Sequence, residues 1–282
     1  MTREKVSTYA GSKMPDHQPS ELTPCVDGPD RPMISMVIPT KDEAGNIREL
    51  ITRLEGALTG IDTEIIFVDD SNDGTPQVIS DVCYGRPIPL CLIHRSPGLR
   101  GGGLGGAVVE GIRSAKGDWV CVMDADLQHP PELIPELLES ARIQGADIIV
   151  GSRYADPSEG TGLEGVRLAY SKLCTLAARL LFFRRLQKIT DPISGYFLVR
   201  REAIDPGFLN PSGFKILLEI LGRFPDLKVY EVPFQFGIRV SGQSKASIYE
   251  GLRYLAYLFT LRVTSTAQRL SELQSRSQKS KL

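Results

Sequence analysis

The segment Trp119-Val120-Cys121-Val122-Met123 is an unbroken apolar run that stops at Asp124-Ala125-Asp126 and is followed by Pro130-Pro131. A nearly continuous run of β-formers suits a strand buried on both faces, as strands are in parallel sheets covered by helices. The proline pair ends the run and puts Pro131 near the first turn of a helix. Two carboxylates at i, i+2 then sit at the carboxyl end of a central strand, where open α/β sheets place their ligands. Hard oxygen donors at that edge suit Mg²⁺ or Mn²⁺ carrying substrate phosphates. Taken alone, Asp124 and Asp126 serve equally well as turn and N-cap residues. Their surroundings decide.

Four more short strands are predicted at Met33–Ile38, Glu64–Val68, Leu90–His94 and Asp147–Val150. Polar, acidic or glycine-rich turns follow all five strands, and helical stretches alternate with them, for example Ile47, Leu50, Ile51, Leu54 and Leu58 after the first. Such alternation implies an α/β fold, a mostly parallel sheet flanked by helices with right-handed crossovers, and the turns converge on one edge. Beyond Gly151 the rhythm changes. Helices are expected over Leu163–Arg185, Gly213–Arg223 and Ser247–Leu261, with strand character in Asp191–Val199 and Lys228–Phe236. Residues 1–31, rich in Pro, Ser, Asp and Lys without periodicity, read as a disordered tail. The division is thus a tail (1–31), a main domain (32–246), and an apolar interfacial helix with a basic tail (247–282).

Composition narrows the partners. At 282 residues and 41% hydrophobic content the chain can bury a full core. The formal charge of -1 offers no global field for nucleic acid. From Arg239 onward, however, eight Lys/Arg stand against two Glu, a net of +6, which suits an anionic partner or membrane surface. The five Cys show no C-x-x-C, which fits reduced thiols and a cytosolic chain. The polar N-terminus reads as lacking a signal peptide, and no uncharged apolar run approaches the ~20 residues of a membrane span.

Several turns carry chemistry. Gly101, Gly103 and Gly106 satisfy G-x-G-x-x-G after a strand, and Asp124 follows at about the spacing of a dinucleotide fingerprint. That fingerprint normally occupies the first βα turn, which here is Pro39-Thr40-Lys41-Asp42-Glu43. The preferred reading is a mobile loop beside phosphates, with Arg100 as its cation. Asp69-Asp70 can accept N–H or O–H donors from a nucleotide's base or ribose, or close an Asp-rich turn. Glu43 is either a ligand contact or a helix-start residue. Arg153 follows a strand and faces the same edge, while Arg167 and Ser171 lie at i, i+4 on one helical face. Two guanidiniums and a hydroxyl make a phosphate clamp, although arginines on amphipathic helices more often cover a solvated face. Arg239 and Lys245, six apart in a Gly-containing loop, could close over anions or be ordinary surface charge. His129 is either a base or a turn residue.

Taken together, Val37-Ile38-Pro39-Thr40, Val68-Asp69-Asp70-Ser71, Gly103-Leu104-Gly105, Asp124-Ala125-Asp126-Leu127-Gln128-His129-Pro130, Gly151-Ser152-Arg153-Tyr154, Asp191-Pro192-Ile193-Ser194-Gly195-Tyr196, Gly213-Phe214-Lys215 and Ser244-Lys245 resemble the family-2 glycosyltransferases of GT-A fold, and within them the polyprenol-phosphate (dolichol-phosphate) mannose synthases. The resemblance runs from about Met33 to Leu261. It implies an inverting, metal-dependent transfer of mannose from GDP-mannose to a polyprenyl phosphate, giving a β-linked product. It also implies C-terminal acceptor-side helices and a chain at the cytoplasmic face of a membrane, with room for a membrane-embedded partner.

By that resemblance Pro39, Lys41, Glu43, Val68, Asp70, Arg100 and Ala125 belong to the nucleotide-sugar side, with Asp124, Asp126, Arg239 and Lys245 at the phosphates. Asp124, Asp126 and Gln128 would surround Mg²⁺ or Mn²⁺. Arg153, Arg167 and Ser171 match the lipid-phosphate positions, and Asp124, Asp126, Arg153 and Arg239 make up the catalytic set. The chain departs from the family's first motif, where Tyr-Asn-Glu is common and Lys41-Asp42-Glu43 stands here. UDP-glucose with the same lipid phosphate, a silent nucleotide-sugar-binding subunit, and an NAD enzyme are the competing readings.

Overall fold

The computed structural model describes residues 22–24, 31–83, 85–155, 165–182, 186–210, 215–237, 254 and 256–265, with residues 22–24 and 165–170 described by backbone alone. The strands are β1 (Leu22–Pro24), β2 (Ile34–Thr40), β3 (Thr63–Asp69), β4 (Leu90–His94), β5 (Trp119–Val122), β6 (Ile148–Ser152), β7 (Phe197–Arg200) and β8 (Val229–Pro233). Among the described residues these eight form one sheet in the order β1-β4-β3-β2-β5-β7-β6-β8. The pairs β2–β3, β3–β4, β2–β5 and β6–β8 are parallel. β7 runs antiparallel between β5 and β6. The five strands expected from the sequence therefore share a direction, and their carboxyl ends gather at one edge. Because β7 is reversed, the turn that enters it, residues 191–195, lies at that edge too.

Helices cover both faces: α1 (Ile47–Ala57), α2 (Thr75–Cys83), α3 (Gly103–Ser114), α4 (Ile134–Gln144), α5 (Gly165–Leu181), α6 (Ile216–Arg223) and α7 (residues 256–265). Alternation along each strand feeds two cores. Met36, Ile38, Ile65 and Phe67 pack with α1, α2 and α4. Val37, Ile66, Val68 and Val120 pack with α3, α5 and α6. Each fully buried aliphatic side chain contributes roughly 1.5–3 kcal/mol by leaving water.

Four expectations change. Leu22–Pro24, assigned to a disordered tail, pair antiparallel with Cys91–Ile93 of β4 and cover what would be an open sheet edge. The terminal helix is no appendage to the main domain. Leu258 and Leu261 are buried in the core of α5 and α6, and the Tyr254 hydroxyl donates to the Cys174 carbonyl at 3.0 Å. That helix also runs past Leu261 to residue 265, where Ser265 is buried. Finally, Cys83 is disulfide-bonded, while Cys91, Cys121 and Cys174 are free thiols. The expectation of five reduced cysteines therefore fails at Cys83.

Candidate active site

At the end of β5 the chain turns tightly through the acids. Leu127 adopts φ +64, a left-handed conformation that costs a branched side chain about 1–2 kcal/mol. The turn is held from within, because the Gln128 backbone N–H donates to Asp126 Oδ1 at 3.1 Å. The Asp124 N–H donates to His129 Nδ1 at 3.0 Å, so that ring nitrogen carries no proton. His129 is 1% exposed, stacked against Tyr196 and Phe236 at 5.0 and 5.5 Å, with Phe234 edge-on. Burial lowers its pKa and outweighs the pull of Asp124 and Asp126. His129 is therefore a neutral ring that orients the Asp124 backbone, the turn role rather than the base.

The donor set at this turn fits a hard divalent cation. Asp126 and Gln128 are buried at 6% and 7% exposure. The Gln128 amide nitrogen donates to the Gly237 carbonyl at 3.3 Å, so the amide oxygen is the end of that side chain that could act as a ligand. Among the described residues no group of three or more His, Cys, Asp or Glu could hold an ion by itself. Mg²⁺-type sites are commonly built this way, from one or two carboxylates with substrate phosphates completing the shell.

On the β3 side the arrangement differs from expectation. Asp70, read as a base or ribose acceptor, is taken through both oxygens by Arg95, with Arg95 Nε to Asp70 Oδ1 at 2.7 Å. Arg95 is 2% exposed and also donates to the carbonyls of Gly101 and Gly103. One buried guanidinium thus fastens the glycine turn to the end of β3. Arg100 follows suit: it donates to the Arg95 and Ser71 carbonyls and to Asn72 Oδ1. The glycine loop is tied down rather than free, and Arg100 is engaged in holding it. Val68 and Ala125 bury their side chains in the two cores, so neither offers a side chain to a ligand at this edge. Pro39 is likewise buried in β2, opposite Val68 in the ladder. Lys41 is exposed, and Glu43 Oε2 accepts from Asn46 Nδ2 at 2.6 Å.

Gly106 marks how tightly that loop is packed. A Cβ there would stand 2.0 Å from the Gly101 carbonyl oxygen and 3.1 Å from Arg95 Nη1. Gly106→Ala should cost about 1–3 kcal/mol of stability, the usual range for overpacking. Thermal melts check it; an unchanged melt would mean that the loop yields freely.

Across the edge, Arg153 leaves β6 and meets Asp191 in a two-pronged ion pair, Nε at 2.6 Å and Nη2 at 2.7 Å. Asp191 is fully buried and Arg153 is 9% exposed. Burial works against the Arg153 charge, but the bonds to Asp191, its charge, and those of Tyr154 and Asp124 together outweigh it and the pKa rises. The guanidinium lies over the rings of Tyr154 and Phe236, at 5.4 and 5.1 Å from their centres. The Tyr154 hydroxyl donates to Ser171 Oγ at 2.8 Å, which joins α5 to the same patch. Glu231 of β8 locks the approach by accepting from the backbone N–H groups of Thr190 and Asp191 at 2.8 and 2.9 Å.

The two sides adjoin. A Cβ on Gly195 would meet Asp124 Oδ2 and His129 Cε1 at 3.2 Å each. Phe236 contacts both His129 and Arg153. The structure therefore brings Asp124, Asp126, Gln128, Arg153 and Ser171 to one edge. Arg167 is in the first part of α5, residues 165–170, where only the backbone is described, and Arg239 and Lys245 lie outside the described residues. Sequence reasoning missed Arg95, Tyr154, Asp191 and Glu231. Asp191 and Tyr154 stand inside quoted motifs without an assigned role, whereas nothing local marks Arg95 or Glu231.

A family model for glycosyl transferase family 2 matches residues 35–208. The dolichol-phosphate mannosyltransferase of Pyrococcus furiosus is 41% identical over 79% of this chain, which spans 62% of that protein, less than two thirds of its length. The dolichol-phosphate mannosyltransferase of Saccharomyces cerevisiae is 35% identical over 81% of this chain and 86% of its own. Among solved structures, Mycobacterium tuberculosis glucosyl-3-phosphoglycerate synthase in complex with Mn²⁺, UDP and phosphoglyceric acid aligns with a TM-score of 0.62 at 18% identity, over 83% of this chain and 78% of that one. The shared architecture is the GT-A fold.

Proposed function

The chain belongs to glycosyl transferase family 2, and from that premise we propose that it moves mannose from GDP-mannose to a polyprenyl monophosphate with inversion, giving a β-linked lipid phosphate sugar. The observation that carries this reading is the meeting of two chemistries at one edge. Asp124, Asp126 and Gln128 supply oxygen donors, and the Asp191-braced Arg153 stands beside them, with Gly195 and Phe236 between. Relatives named dolichol-phosphate mannosyltransferase support the choice of sugar and acceptor.

The chemistry asks for positioning above all. A phosphate monoester has a second pKa near ~6, so the acceptor is largely dianionic at neutral pH and needs no strong base. Arg153 spends two donor nitrogens on Asp191 and keeps further N–H groups for a phosphate oxygen. With Ser171, and Arg167 on the same helix, it would aim that oxygen at the anomeric carbon. Asp124, Asp126 and Gln128 would hold Mg²⁺ or Mn²⁺, which when bound supplies charge neutralisation on the leaving diphosphate. Arg239 and Lys245 would close over the same phosphates.

A lipid acceptor places the work at a membrane surface. No helix of the described residues is long and apolar enough to cross a membrane. Leu173, Leu176 and Leu180 are 64%, 54% and 72% exposed on α5, and Phe259 and Val263 are exposed on α7. These apolar faces, followed by the basic end of the chain, suit peripheral contact with an anionic leaflet on the cytoplasmic side. A membrane-embedded partner subunit is compatible with the same faces.

The test is transfer of labelled sugar from GDP-mannose and, separately, UDP-glucose to polyprenyl phosphate in Mg²⁺ or Mn²⁺. Mannosyl phosphate lipid formed from GDP-mannose is the expected product. Transfer only from UDP-glucose would replace the donor, and none from either would sink the reading.

A further inference from the structure

Lys215 stands just before α6, and its ammonium donates to the Ile193 carbonyl at 3.4 Å, in the turn that carries Asp191. It is close enough to Arg153, Asp191 and Asp124 for each to act on its charge. Burial, and after it the neighbouring Arg153, push its pKa down to about 8, while Asp191 and Asp124 pull the other way. Asp191 meanwhile gives both carboxylate oxygens to Arg153. Two cations bonded to the same 191–195 turn, the Arg153 guanidinium and the Lys215 ammonium, repel each other, and partial burial strengthens that repulsion. An arriving dianion shared between them would relieve it, as charge-assisted hydrogen bonds do at phosphate sites.

We propose that Lys215 is a further residue of the acceptor site, its ammonium taking a phosphate oxygen of the polyprenyl monophosphate alongside Arg153. The inference rests on the function proposed above. It adds a binding group to the acceptor side beyond Arg153, Arg167 and Ser171. Lys215 also sits opposite the strained acid turn, through the same 191–195 segment that abuts Asp124. A lipid phosphate held there lies next to the diphosphate end of the donor, as in-line attack requires.

The test uses the full chain with farnesyl phosphate as acceptor and GDP-mannose as donor, comparing Lys215→Gln, Lys215→Met and Lys215→Arg. Gln keeps an N–H for the Ile193 carbonyl but no charge, so a merely structural lysine is rescued by Gln. A phosphate-binding lysine is rescued by Arg alone. Expected is a rise of about 10- to 100-fold in the acceptor KM for Gln and Met, the range for losing one charge-assisted hydrogen bond. The donor KM should stay within about twofold, and Arg should return the acceptor KM to within about threefold of wild type. If Met does not fold, the Gln and Arg pair still decides. Wild-type acceptor KM in Lys215→Gln overturns the assignment, as does an equal shift in both KM values. A wild-type chain that transfers mannose neither to farnesyl phosphate nor to a longer polyprenyl phosphate sinks the proposed function itself, and the Lys215 assignment with it.

Discussion

Asp126→Ala should reduce sugar transfer by at least about 10³-fold while leaving the chain folded, because a lost charge-stabilising ligand at a phosphoryl-bearing centre costs several kcal/mol of transition-state energy. The bond that Asp126 accepts from the Gln128 backbone N–H is worth about 0.5–1.5 kcal/mol net. Asp126→Asn is the sharper control, since the amide oxygen can keep that bond while the charge is gone. Rates across a Mn²⁺ titration, together with circular dichroism melts, separate the two effects. Turnover that survives in either variant at ordinary Mn²⁺ would remove the acid turn from the metal site.

The second large effect is expected at Asp191. Asp191→Ala strands the Arg153 guanidinium, 9% exposed, without its counter-charge. Breaking a buried pair from one side typically costs about 3–5 kcal/mol. For a domain of this size that is a fall of roughly 6–20 °C in melting temperature. Acceptor affinity should fall with it, because Arg153 loses the carboxylate that fixes its plane. Removing both charges with Arg153→Met and Asp191→Leu should recover much of the stability but none of the transfer. A single Asp191→Ala variant that melts like wild type would show that the pair does not brace this edge.

Much of the scaffold was legible because burial writes itself into period. The five apolar runs and the helical spacing at Ile47, Leu50, Ile51 and Leu54 are local signals, and β2 to β6 and α1 follow them. The acids at 124 and 126 were legible for the same reason, since they interrupt a buried strand at its end. What escaped depends on partners far apart in the chain. Asp70 is tied by an arginine 25 residues on, and Arg153 by an aspartate 38 residues on. Nothing near Asp70 announces that its carboxylate is already taken. Leu22–Pro24 looked formless because three residues carry no period, and only the open edge of β4 gives them a place. The last helix looked separate because its exposed Phe259 hides, in one dimension, the buried Leu258 and Leu261 beside it.

The reversal of β7 has a consequence for how such a chain can diversify. Arg153, on leaving β6, and Asp191, on approaching β7, fasten together the two ends of an excursion that bears α5. That clasp makes the excursion an exchangeable cassette. Its length and lining can vary while the parallel half of the sheet, β2 to β5, keeps its register.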